Sequence, residues 1–121
     1  MNMNKYHAHI YFSASEEALI QRVHAAAQLK TQIMKTFRIV PYPVGPHPMG
    51  MFEVHFTEST KKEVLKWFEE HRQGLNVLIH IDSGDDYRDH TENVIWLGEK
   101  LPLDFSFFDL VKNDPSKALH K

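Results

Sequence analysis

Short stretches of alternating or apolar residues along this chain are separated by stretches with the spacing of amphipathic helices. Lys5 to Phe12 is an aromatic and β-branched run, which predicts a first strand. Ser13 precedes Glu16 by the spacing of a helix capping box. Apolar residues then follow at helical intervals, at Leu19, Val23, Ala26 and Ile33. The chain is therefore predicted to begin with a strand and a helix.

A second and a third strand are predicted on either side of a proline-rich loop. Phe37 to Val40 is a short run of strand-forming residues that ends at a proline. The segment from Pro41 to Gly50 holds four of the six prolines and two of the five glycines, which predicts a rigid surface loop. Met51 to Phe56 alternates between apolar and polar residues as a strand does.

The second half of the chain predicts another helix and another strand. Thr60 and Glu63 have capping-box spacing, and a helical pattern follows them at Val64, Trp67, Phe68 and His71. Leu75 to Asp82 predicts a fourth strand. The aspartates that follow lack the spacing of a calcium-binding loop and are interpreted as turn residues; they are Asp82, Asp85, Asp86 and Asp89.

The order strand, helix, strand, strand, helix, strand is typical of the ferredoxin-like α+β fold, in which two helices cover one face of an antiparallel sheet. Val94 to Leu97 can add a strand at the C-terminal edge, and Phe105 to Val111 predicts either a short helix or a packed tail. With 121 residues and no internal repeat, residues 1–121 are predicted to form one domain.

Composition narrows the classes of function. The net charge of -2 comes without a basic tract, so nucleic acid is not an expected partner. No apolar run approaches the roughly 20 residues that cross a bilayer, and the first residues lack a signal-peptide pattern. A cytoplasmic protein with no membrane partner is therefore expected. Phosphate-binding loops and serine-nucleophile motifs are absent from the sequence.

The chain has nine histidines and no cysteine, so any metal must be bound by nitrogen and oxygen atoms. Strand alternation places the apolar residues of three predicted strands towards the helices. The opposite face then carries the polar set His7, His9, Glu53, His55 and His80. His47, between two prolines, can reach the same face. This convergence suits a divalent metal such as iron(II), although the same histidines can also be ordinary polar surface residues.

The face that carries these histidines also carries apolar side chains. Tyr11, Met51 and Leu78 fall on it by the same alternation. An exposed apolar sheet face is a natural surface for a two-fold partner, so a homodimer is expected. Tyr11, Trp67 and Trp96 are otherwise interpreted as packing residues.

Four motifs in order resemble those of the DOPA 4,5-dioxygenase family. They are YHAHIYF near the start, GPHPMGMFEVHF in the middle, LNVLIH in the fourth strand and DHTENVIWLG near the end. The resemblance implies a ferredoxin-like subunit, commonly dimeric, that uses non-haem iron(II) and dioxygen to open the ring of a catechol such as L-DOPA or a related aromatic acid. After His80 this chain has Ile81, Asp82 and Ser83, where many relatives continue with proline, asparagine and threonine.

The resemblance also suggests roles for individual residues. Two or three of His9, His47 and His80 are expected to bind iron(II), and Glu53 either completes the ligand set or supports it from outside. His90 or His55 is expected to move protons. Arg72, with His7, is assigned to substrate binding, since a guanidinium can receive a carboxylate. Zinc or nickel is expected to substitute for iron in a purified sample.

Two alternatives to a dioxygenase remain at this stage. One is a metal-binding protein without turnover, or an enzyme that uses a different aromatic substrate. The other is a ferredoxin-like ligand-binding or regulatory module whose histidines are only polar surface. The fold alone does not decide between them, because small domains of this architecture carry many functions.

Overall fold

The computed structural model describes residues 4–108, and their centre is one antiparallel sheet. The strands of this described part follow the spatial order β2-β3-β1-β4-β5, which puts the first strand in the middle. They are β1 (Lys5–Phe12), β2 (Lys35–Thr36), β3 (Gly50–Thr57), β4 (Val77–Ile81) and β5 (Ile95–Leu97). This arrangement confirms the predicted ferredoxin-like fold and its additional edge strand.

Helices connect the strands. Those described are α1 (Glu17–Gln28), α2 (Lys61–His71) and α3 (Asp86–Thr91). Short 3-10 turns lead into α1 and α2. The capping box at the first helix is confirmed, because the backbone N–H of Ser13 donates to Oε1 of Glu16 at 2.9 Å. None of the helices among residues 4–108 has the length and apolar character needed to cross a bilayer.

The second strand lies earlier than predicted. It covers Lys35–Thr36, and of the predicted Phe37–Val40 run only Val40 forms a bridge, with Met51. Phe37 N–H donates to the carbonyl of Glu53 at 2.9 Å. The three residue intervals from Phe37 to Val40 therefore lie opposite only two intervals on β3, from Glu53 to Met51. One extra residue interrupts the ladder in the manner of a bulge, which a propensity pattern does not reveal.

Three other local predictions are corrected by the structure. The first helix ends at Gln28, before Ile33, yet Ile33 still packs against the same core. Thr60 does not form the predicted capping box, because its hydroxyl donates to the carbonyl of Ile33 at 2.8 Å. Of the aspartates interpreted as turn residues, Asp86 and Asp89 lie in α3. The Asp85 carboxylate caps this helix by accepting from Arg88 N–H at 3.1 Å.

The main core lies between the sheet and the helices α1 and α2. The predicted alternation is confirmed, since the apolar positions of the three central strands are buried on this face. Its fully buried members include Ile10, Phe52, Val77, Ile20 and Phe68. Trp67 is buried here as a packing residue, as predicted. Burial of such side chains is the main stabilising contribution to a domain of this size.

The apolar part of the histidine-bearing face of the sheet is covered, contrary to the prediction. Tyr11, Met51 and Leu78 are buried in a second apolar cluster. The Pro41 to Gly50 loop and the segment after β5 fold over them, and Asp104 N–H donates to the Pro46 carbonyl at 2.8 Å to join the two. The apolar surface on which a homodimer was expected is therefore covered by the chain itself. The homodimer stays a prediction, but an exposed apolar sheet face no longer supports it.

The end of the described chain packs inward. Ser106 to Phe108 begins a helical turn, and Phe107 and Phe108 are buried. The rest of the predicted Phe105 to Val111 element lies outside the described residues. The helical turn is therefore described only as far as Phe108.

Truncation of Phe68 tests the main core. Phe68→Ala is expected to lower the free energy of unfolding by about 3–5 kcal/mol, because it removes a fully buried ring and leaves a cavity. Urea denaturation followed by circular dichroism measures the change. Leu29→Ala is the control, since Leu29 is 80% exposed and its truncation is expected to change stability by less than about 0.5 kcal/mol. Equal losses in the two variants would contradict this description of the core.

Candidate metal centre

The neighbouring strands β1 and β4 bring His9 and His80 together on the face of the sheet opposite α1 and α2. His7 lies directly opposite His80 in the β1–β4 register, so His9 is the diagonal neighbour of His80. The Nε2 atoms of His9 and His80 are 2.9 Å apart, and both side chains are buried. The pairing of β1 with β4 therefore brings these two ring nitrogens together.

Two more histidines reach this pair from outside the sheet. His47 comes from the proline-rich loop, and its ring centroid is 4.2 Å from that of His9. His90 comes from α3, and its ring centroid is 4.2 Å from that of His80. Both side chains are 2% exposed. The four residues His9, His47, His80 and His90 are called the histidine cluster below.

Backbone carbonyls fix the orientation of two of these rings. Nδ1 of His80 lies 2.8 Å from the carbonyl of Ile81, and Nδ1 of His90 lies 2.7 Å from the carbonyl of Asp86. A carbonyl only accepts, so each Nδ1 carries the hydrogen and donates. The Nε2 atoms of His80 and His90 are then left with a lone pair when the rings are neutral, which is the form that binds a metal.

The His47 ring is held by a phenol. The Tyr11 hydroxyl lies 2.7 Å from Nδ1 of His47 and can donate to it or accept from it. Burial of the phenol, with a smaller contribution from the Glu53 carboxylate, raises the pKa of Tyr11 far above its ordinary value. Tyr11 therefore stays neutral. It was interpreted as a packing residue, and the structure adds this contact to His47.

Glu53 stands beside the histidine cluster on β3. Its Oε1 lies 3.7 Å from Nδ1 of His9, on the opposite side of that ring from His80. Its Oε2 lies 3.6 Å from Nδ1 of His7 and contacts Nε2 of His55. One half-buried carboxylate thus faces three imidazoles, and most of the predicted polar face is assembled around it.

Potential ligand atoms among residues 4–108 fall into three groups whose members lie within 4.8 Å of one another. These groups are His7, His9 and His80; His9, His47 and His90; and His7, Glu53 and His55. The predicted ligands His9, His47 and His80 all belong to these groups, but no single group contains all three. His80 is in the first group, His47 is in the second, and His9 is in both. His90, predicted as an acid or base, stands in a potential ligand position.

The donor atoms are suitable for a transition metal. Two ligands at right angles about 2.1 Å from one ion would be about 3.0 Å apart, close to the 2.9 Å between Nε2 of His9 and Nε2 of His80. Imidazole nitrogen with carboxylate oxygen suits iron(II), zinc or nickel, and no thiolate is present to favour softer ions. The residues present therefore fit a divalent transition metal.

The remaining predicted residue lies elsewhere. Arg72 follows α2, the helix that covers the opposite face of the sheet, and its Nη1 donates to the carbonyl of Leu75 at 3.0 Å. Asp82, which alternation puts on the same face as His80 and which was otherwise interpreted as a turn residue, belongs to this polar assembly, with its Oδ2 3.3 Å from Nε2 of His7.

A cavity of about 410 Å³ adjoins the histidine cluster at His90. Its wall is mainly apolar and includes Val94, Trp96, Leu101, Pro102, Leu103 and Phe105, with Lys100 also present. A concave apolar cavity with a few polar groups is typical of a small-molecule site. A second cavity, of about 300 Å³, adjoins His7 and His55.

The buried phenol of Tyr11 predicts a specific pH dependence of stability. Below about pH 10 both folded and unfolded states keep the phenol proton. Above it the unfolded chain loses the proton while folded Tyr11 retains it, so the free energy of unfolding falls by up to about 1.4 kcal/mol per pH unit.

Urea titrations between pH 8 and 11 measure this loss. Tyr11→Phe is expected to have lower stability at pH 8 and a shallower decline above pH 10 than the wild type. Tyr42→Phe, at a position 52% exposed, is expected to decline as steeply as the wild type. The same slope in wild type and Tyr11→Phe would contradict the burial of this phenol.

Comparison with known proteins agrees with the motifs. The crystal structure of a "putative dioxygenase" from Nostoc punctiforme is similar to this chain, with a TM-score of 0.79 and 31% identity, and the match covers 90% of this chain and 94% of that one. A "DOPA 4,5-dioxygenase" of Amanita muscaria is 28% identical over 112 residues, which are 86% of this chain and 49% of the relative.

An "uncharacterized 21.2 kDa protein" of Botryotinia fuckeliana is 37% identical over 95 residues, which are 72% of this chain and 51% of the relative. The chain thus spans about half the length of the curated relatives it matches. The model of the Dopa 4,5-dioxygenase family matches residues 6–107, which include every residue of the histidine cluster. On this match, the chain belongs to the Dopa 4,5-dioxygenase family.

Proposed function

We propose that this protein is a non-haem iron(II) extradiol dioxygenase that opens the ring of a catechol, such as L-DOPA or a related aromatic acid. The observation that carries the proposal is the buried histidine cluster beside an apolar cavity, with His90 belonging to both. Family membership supports the oxygenation of a substrate. The choice of L-DOPA rests on the name of the Amanita muscaria relative, about half of which this chain matches.

His9 is the proposed common ligand, since it belongs to both all-histidine groups of potential ligands. The remaining ligands are proposed from His47, His80 and His90. Bound iron(II) would supply open coordination positions for the two catechol oxygens and for dioxygen, and a route for electrons between them.

Glu53 is proposed to orient His9 from outside the ligand set. Its carboxylate is on the Nδ1 side of the His9 ring, while Nε2 faces His80. A carboxylate in that place favours a hydrogen on Nδ1 and leaves Nε2 available to a metal. Of the two roles that the sequence left open for Glu53, this position favours support of His9 over direct ligation at the histidine cluster.

The apolar cavity is proposed to hold the substrate ring. Its volume of about 410 Å³ lies within the roughly 300–1,000 Å³ that small-molecule sites occupy. Trp96 offers a flat indole surface against which an aromatic ring can stack. Nδ1 of His90 donates to the Asp86 carbonyl, which leaves the lone pair on Nε2. If His90 is not a metal ligand, its Nε2 can take a proton from the catechol.

Lys100 is proposed to receive the carboxylate of an aromatic acid. It is exposed and belongs to the cavity wall, whereas Arg72 follows a helix on the opposite face of the sheet. An ammonium at the rim of an apolar site can pair with the acid group while the ring stays in the apolar part. We therefore assign to Lys100 the role that the sequence analysis gave to Arg72.

Oxygen uptake tests the proposed activity. Protein loaded anaerobically with iron(II) is mixed with aerated L-DOPA, caffeate, protocatechuate or catechol, and absorbance is followed for a ring-opened product. His9→Gln is expected to reduce uptake on the order of 100-fold or more, because it removes the ligand common to both groups.

The matched control is His71→Gln, which makes the same change on α2, at an exposed position of the opposite side of the domain. It is expected to retain wild-type uptake. Iron-loaded wild-type protein that consumes no oxygen with any of these catechols would contradict the dioxygenase and favour the metal-binding module without turnover.

Substitution of Lys100 tests the orientation of the substrate. Lys100→Met is expected to raise KM for the acidic catechols about 2- to 5-fold, as an exposed ion pair contributes roughly 0.5–1 kcal/mol. KM for plain catechol, which has no carboxylate, is expected to stay unchanged. Lys66→Met, at an exposed position on α2, is the control. An equal rise in KM for acidic and plain catechols would contradict a carboxylate contact.

A further inference from the structure

We propose that His7, Glu53 and His55 form a second divalent-cation site, separate from the iron site proposed at the histidine cluster. Each residue offers one ligand atom, and the three atoms lie within 4.8 Å of one another. Two imidazole nitrogens and one carboxylate oxygen are a donor set that suits zinc, iron(II) or nickel. The site lies on the far side of Glu53 from His9.

Strand pairing pre-arranges these ligands. His7 and His55 are direct partners in the β1–β3 register, and their rings stack with centroids 3.8 Å apart and planes 3° from parallel. Nδ1 of His7 lies 3.6 Å from Oε2 of Glu53, and Nε2 of His55 contacts the same oxygen. Two ring nitrogens therefore converge on one carboxylate oxygen without any further movement of the backbone.

The other nitrogen of His7 has the partner that metal-binding histidines usually have. Nε2 of His7 lies 3.3 Å from Oδ2 of Asp82, at the end of β4. A carboxylate there favours the hydrogen on Nε2 and leaves the lone pair on Nδ1, the atom that faces Glu53. Asp82 thus supports the ligand role of His7 in the same way that backbone carbonyls support His80 and His90.

The site is more exposed to solvent than the histidine cluster. The His55 side chain is 30% exposed, and a cavity of about 300 Å³ adjoins His7, His55 and Asp82. Water molecules can therefore complete the coordination of a bound ion. Lys5 also lines this cavity, but it is exposed and its charge is screened by solvent and salt, whereas Glu53 is largely shielded by its neighbours.

Occupancy of this site would also affect the histidine cluster. The two oxygens of Glu53 are divided, with Oε2 at the second site and Oε1 3.7 Å from Nδ1 of His9. A cation bound at Oε2 would hold the Glu53 side chain in place and so fix Oε1 beside His9. The second site would then act on the first through the position of one carboxylate.

Zinc stoichiometry tests the proposal without reference to catalysis. Metal-free protein without a polyhistidine tag is titrated with zinc by calorimetry, and bound zinc is measured by elemental analysis after gel filtration. Wild-type protein is expected to bind two zinc ions per chain and His55→Gln one. His71→Gln, outside both sites, is expected to bind two. A wild type that binds one zinc ion, or a His55→Gln variant that still binds two, would overturn the second site.

A gentler variant covers the case in which His55→Gln does not fold. Asp82→Asn retains all three ligands and removes only the charge beside Nε2 of His7, so it is expected to lower zinc affinity at one of the two sites about 10-fold. Unchanged affinity at both sites would overturn the proposed arrangement. Oxygen uptake separates this proposal from the dioxygenase. If the wild type binds two zinc ions but its iron(II)-loaded form shows no catechol-dependent uptake, the second site stands and the proposed activity is rejected.

Discussion

The pairing of the central strand β1 with both β3 and β4 is the constraint on which the rest of this structure depends. His7 lies opposite His55 on one side and opposite His80 on the other, and alternation then puts His9 and Glu53 on the same face. A slip of one residue in either register would turn over the side chains of the slipped strand, so that its histidines faced α1 and α2 and its apolar residues faced away from them. The main core and the candidate metal centre are thus two results of the same register, and the packing that stabilises one also positions the other.

Coverage of the second face turns a row of surface histidines into a buried site. The proline-rich loop and the segment after β5 pack over Tyr11 and Leu78, and the hydrogen bond from Asp104 to Pro46 joins them. The covering elements also contribute chemistry, since the loop provides His47. Imidazoles without access to water need partners, which here are backbone carbonyls, a phenol and a carboxylate. The carbonyl partners also determine which ring nitrogen of His80 and of His90 is available to a metal.

Local sequence patterns predicted the parts of the fold and site that depend on alternation and strand order. The shared face of His7, Glu53 and His80, the central first strand and the edge strand all follow from residues close together in the chain. The bulge before Val40 and the packing of α3 depend on contacts between distant segments, which spacing does not encode. Predicted sheet alternation also could not show that the second face is covered, because the cover consists of loop segments without a periodic pattern.

Glu53 links the two groups of histidines through its two carboxylate oxygen atoms. A carboxylate beside one ring nitrogen stabilises a hydrogen there and increases the electron density at the other. Oε1 can do this for His9, while Oε2 faces His7 and His55. Any change that rotates or neutralises Glu53 therefore alters the donor strength of His9 and the geometry around His55 together. Because the two proposed metal sites share one carboxylate, binding at one is expected to be thermodynamically coupled to binding at the other.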